Sequence, residues 1–179
     1  MANLQLSLDP VDHITVDAIG EPGSRVFYIL GKKGPDSICL IIEKIQLQSL
    51  IVGTGDFLEA IERKYPDIVD PVVDFSEKEM RITPPVDPKF RAGDLVLAYD
   101  DSRDLVCIIA REMLLSETEV EKPSVVRYWC TRAQLIALVR WGAIMAERGR
   151  PICPQCLRPI EPEGHFCPKK NGRKKVKKS

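Results

Sequence analysis

The chain has 179 residues, 44% of them hydrophobic and 29% charged, with 26 basic against 26 acidic side chains. That length and balance suit one domain with a small appendage and exclude a chain too polar to build a core. No apolar run approaches the roughly 20 residues needed to cross a bilayer, so no membrane partner is expected. The opening MANLQLSLDPVDH lacks the basic-then-apolar pattern of a secretory signal, which predicts a cytoplasmic location.

The first 45 positions are rich in β-branched and aromatic runs bounded by turn residues, the pattern of strands. HITVDAIG (13–20) is the first, with Glu21 to Ser24 as its turn; RVFYILGKKG follows from Arg25, and DSICLIIEKIQ (36–46) makes a third strand. In LQSLIVGTGDFLEAIERKY the apolar residues Leu50, Ile51, Phe57, Leu58 and Ile61 recur at helical spacing, and Pro66 ends that helix. Five prolines then fall between positions 66 and 88, which predicts a linker over 66–89. The order repeats: FRAGDLVLAYD, LVCIIAREML and SVVRYWC read as strands, with acidic residues in the turns between them. A helix follows from Thr131 to about Arg148. Thr131 and Gln134 have the spacing of a capping box, and Leu135, Leu138, Val139, Ile144 and Met145 form the stripe expected to be buried.

The expected fold is therefore α+β: two βββα units, each an antiparallel meander covered by its helix. The domain spans 1–150 (first unit 1–65, second unit 90–150), followed by a zinc knuckle at 151–172 and a disordered basic tail at 173–179. Charge divides the same way. Residues 1–150 carry 18 Lys and Arg against 24 Asp and Glu, whereas residues 151–179 carry 8 against 2.

Chemistry concentrates in ICPQCLRPIEPEGHFCP. Cys153 and Cys156 have the C-x2-C spacing that lets one tight turn aim two sulfurs at a single ion, and His165 and Cys167 complete a Cys3His set. Three thiolates and an imidazole suit one tetrahedral Zn(II) per chain, with no open coordination position and hence a structural role. A redox thiol pair is the alternative, though such motifs sit beside a βα turn and this one follows a helix among prolines. Cys39, Cys107 and Cys130 lie in apolar strands and read as small core hydrophobes.

Beyond the cysteines, Lys169, Lys170, Arg173, Lys174, Lys175, Lys177 and Lys178 offer cations to nucleic-acid phosphates, or serve as a solvated end. No phosphate-binding glycine loop, nucleophile elbow or H-E-x-x-H helix is present. The leading expectation is a non-catalytic binding protein, with nucleic acid or another protein as partner. The rival is an enzyme or enzyme subunit whose pocket lies between the two halves, with Arg25, Glu43 and Arg91 lining it.

GEPGSRVFYIL (20–30), IEKIQ (42–46), FRAG (90–93) and GRPICPQCLRPIEPEGHFCPKKNG (149–172) together resemble an uncharacterised bacterial family, common in actinobacteria, known only as a domain of unknown function. The resemblance implies the same two-part βββα layout with a zinc-binding end, and no activity or substrate. Members of that family usually continue after the Asn-Gly with a short aromatic-basic end, where this chain has Arg173 and a lysine run.

Overall fold

The computed structural model describes residues 3–21, 23–114, 122–149, 153–156, 160 and 166–171. In chain order the elements are β1 (Gln5–Leu8), β2 (His13–Ile19), β3 (Val26–Lys33), β4 (Asp36–Ile42), α1 (Lys44–Lys64), α2 (Glu77–Met80), β5 (Pro88–Asp100), β6 (Leu105–Glu112), β7 (Val125–Thr131), α3 (Arg132–Glu147) and α4 (Pro168–Asn171). The class is mixed α+β, built on one seven-stranded sheet of order β1-β7-β6-β5-β4-β3-β2. β2-β3-β4 and β5-β6-β7 are antiparallel runs; β4 meets β5, and β1 meets β7, in parallel.

Strand alternation assigns one face of this sheet to the core. Ile14 and Val16 on β2, Ile29 on β3, Leu40 and Ile42 on β4, Val106 and Ile108 on β6, and Val126 and Tyr128 on β7 are all buried there. The sheet curls around that face. Tyr128, fully buried, donates its hydroxyl hydrogen bond across the core to the Ile38 carbonyl of β4 at 3.2 Å. Its ring lies against Gly31 of β3, where a Cβ would stand 2.5 Å from Tyr128 Cδ1. Residues 11 and 12 draw the two ends of the sheet together. The Val11 N–H donates to the Trp129 carbonyl of β7, and the Asp12 N–H to the Lys32 carbonyl of β3.

α1 and α3 pack together on this inner face. α3 leaves β7 directly, crosses to β2, and meets α1 at Gly142, where a Cβ would stand 2.8 Å from Leu47 Cδ1 and 3.2 Å from Val16 Cγ2. Its start follows the capping-box spacing: Thr131 Oγ1 accepts from the Gln134 N–H, and Gln134 Oε1 accepts from the Thr131 N–H. The expected stripe is buried except for Ile144, which is 39% exposed; Trp141 and Gly142 take the inward positions instead. The substitution is geometric. Ile144 lies one residue off the track through Leu138, Trp141 and Met145, and the glycine lets the helix approach its neighbours closely.

Two further features depart from the sequence reading. The third strand ends at Ile42 and not at Gln46. Gln46 Oε1 accepts from the Glu43 N–H while its amide donates to the Ala92 and Gly93 carbonyls, so these residues begin α1 and tie it to β5. The Pro-rich stretch carries α2 and packs on β2. The buried Asp17 carboxylate accepts from the Ala18 and Ile82 N–H groups and from Arg81 Nη1, and Thr15 Oγ1 donates to the Met80 carbonyl at 2.6 Å. Arg81 and Arg148 both lie over the Trp141 ring, and Arg148 makes a two-pronged pair with Glu77. These contacts fasten α2 between β2 and α3.

The Gly31 contact yields the first prediction. Gly31→Ala forces its methyl group into the Tyr128 ring and destabilises the protein by about 1–3 kcal/mol, the usual cost of overfilling a core, read as a lower urea midpoint. Adding Tyr128→Leu recovers part of that loss, because the two changes share one contact. A neutral Gly31→Ala contradicts the curled-sheet packing.

Candidate metal centre

The C-x2-C turn occupies Cys153 to Cys156, with turn geometry over 154–156, and Cys167 stands immediately before α4. Pro168, the first residue of α4, has the fixed φ and missing N–H that suit a helix start, so the chain turns sharply just past the sulfur. Although 14 positions separate them, Cys153 and Cys167 bring their sulfurs to 3.9 Å. The sulfurs of Cys153, Cys156 and Cys167 all lie within 4.8 Å of one another. Cys153 and Cys167 are buried and Cys156 half-buried.

These spacings test directly whether the residues fit a metal. A disulfide needs about 2.05 Å between sulfurs, so 3.9 Å is not an oxidised pair. Four ligands placed tetrahedrally at a metal–sulfur distance of about 2.3 Å put sulfurs about 3.8 Å apart, close to the distance found. The Cys153 sulfur also receives backbone N–H groups of Cys156 and Gln155, which draw its thiol down to about 6. Cys167 donates its weak S–H hydrogen bond to Gln155 Oε1 at 3.8 Å. Three convergent sulfurs form a soft donor set of the kind that can hold a metal ion.

His165, the expected fourth ligand, lies outside the described residues, as do Arg173, Lys174, Lys175, Lys177 and Lys178. Lys169 is exposed on α4, which also contains Lys170. The other cysteines behave as core residues: burial pushes the Cys39 and Cys107 thiols up to about 11 and Cys130 up to about 12, which keeps them protonated and inert. His13 opens β2 with a buried Nε2 that has no hydrogen-bond partner among the described residues, and burial holds its pKa below the usual histidine value. The Asp100, Asp101 and Asp104 group shapes the β5–β6 turn. Asp104 takes a left-handed φ of 50° and pairs with Arg132, Asp100 pairs with Arg103, and Asp101 accepts from Tyr65 Oη.

Of the proposed pocket residues, Arg25 and Glu43 share the wall of one cleft of about 630 Å³. The start of β3 and the β4–α1 junction form one side of this cleft, and the end of α3, with Ala146, Glu147 and Gly149, forms the other. Arg91 stands on β5 and forms an ion pair with Glu43. Sequence reasoning missed Lys44, which also lines the cleft; no local pattern marks it, because its neighbours there come from three distant segments. No helix among the described residues is long and apolar enough to cross a membrane.

No curated protein and no solved structure matches this chain. A family model does, over residues 6–167, a span that contains the three clustered cysteines and ends before the lysine-rich segment. The chain therefore belongs to the family described as "Protein of unknown function (DUF3090)".

Proposed function

We propose that the C-terminal segment binds one Zn(II) per chain through Cys153, Cys156, Cys167 and His165, as the structural centre of a non-catalytic binding protein that contacts nucleic acid through its lysine-rich end. The observation that carries the metal assignment is the convergence of three sulfurs within 4.8 Å of one another, two of them 3.9 Å apart. Zinc is the ion such a soft, closed set prefers when no redox chemistry is asked of it. The segment has few apolar side chains of its own, so metal binding supplies the free energy that orders it. The nucleic-acid assignment is supported by the separation of charge, with an acidic body and a basic end that carries seven cations from Lys169 to Lys178.

Protein purified without added zinc contains about one zinc per chain by elemental analysis, and Cys156→Ser lowers that content severalfold. Unchanged zinc in Cys156→Ser overturns the site. For the partner, the full chain binds short single-stranded DNA at low salt, with a log–log salt slope no steeper than about −5, the limit for seven cations on a single strand. Deleting residues 169–179 removes that binding. Binding that survives the deletion, or no binding at low salt, contradicts the nucleic-acid assignment.

A further inference from the structure

We infer that the cleft between the end of α3 and the start of α1 is a binding site for a small phosphate-bearing molecule, an inference that goes beyond the metal and the lysine-rich end. Its volume, about 630 Å³, falls in the range of roughly 300–1,000 Å³ typical of small-molecule sites. Two cations converge in it. A Cβ built on Gly149 would lie 3.4 Å from Lys44 Nζ and 3.6 Å from Arg25 Nη2, so both charges face one small patch of backbone.

Neither cation has a carboxylate within ion-pair distance among the described residues. Glu43, next to Lys44 in sequence, is taken by Arg91. Among the described residues Arg25 makes a long 3.5 Å contact to the Met145 carbonyl and lies over the Phe27 ring.

Helix ends do not balance the pair. The carbonyl end of α3 offers roughly half a negative charge, and the amide end of α1 brings about the same amount of positive charge to the same place. Two like charges held together with no carboxylate in ion-pair distance among the described residues suit an anionic ligand, and a pair suits a dianion such as a phosphate monoester better than a single carboxylate. Phe27 and Ile42 give the cleft an apolar floor for the body of the ligand. Glu147, on the opposite wall, can accept from its hydroxyl or amino groups.

The test is thermal unfolding of the full chain with inorganic phosphate, at ionic strength held constant with chloride. With phosphate tenfold above its Kd, linkage gives a rise in Tm of about 4 °C for a chain of this size. The rise is lost in Arg25→Gln and in Lys44→Gln, and acetate produces a much smaller one. Absence of a phosphate-specific rise, or an equal rise in both variants, overturns the site; an equal rise with acetate overturns the phosphate assignment. A short single-stranded oligonucleotide tested alongside separates the sources. If only the oligonucleotide acts, and Arg25→Gln abolishes its effect, the cleft holds a nucleic-acid backbone and the small-molecule assignment falls.

Discussion

The rest of the structure depends on the seating of the Tyr128 ring against the bare backbone of Gly31. Strands far apart in the sheet order are pressed together there, so the sheet cannot lie open and must curl around one face. The curl brings β2 under the path of α3, which starts at the end of β7 and crosses to the opposite edge. A second close approach, at Gly142, lets α3 settle against α1 and β2. The end of α3 is thereby carried to the start of α1, and two halves of the chain share a cleft.

The same path leads on toward the candidate metal segment. Gly149 lines the cleft and Cys153 follows four residues later, a span of about 14 Å at full extension. At the end of α3, the Arg148–Glu77 ion pair anchors the helix to α2.

Features set by a few consecutive residues were legible in the sequence. The Thr131–Gln134 capping box, the strand alternation from His13 onward, the inert core cysteines and the C-x2-C turn all rest on local spacing, and local spacing is what a sequence displays. β1 was missed because four residues of Gln5–Leu8 carry too short a pattern, and their partner strand lies 120 positions away. The third strand is read four residues too long because Glu43 to Gln46 contain no Gly or Pro to mark its end, and the role of Gln46 in capping α1 and bonding to β5 is set by the fold. Ile144 was assigned inward on periodicity alone; the large ring of Trp141, held under two guanidiniums, decided the rotation of the helix. Of the cleft, only Arg25 and Glu43 were legible; Lys44 and Gly149, which give it its geometry, were not, and Arg91 reaches it only through its ion pair with Glu43.

The candidate metal centre combines both kinds of information. Spacing suggested which residues belong together, and the fold supplied the 3.9 Å approach of two sulfurs from either end of the segment. Zinc K-edge X-ray absorption on the purified full chain tests this account most directly. It predicts three sulfurs at about 2.3 Å and one nitrogen at about 2.0–2.1 Å around the zinc. A shell dominated by oxygen, or one with fewer than three sulfurs, would contradict it.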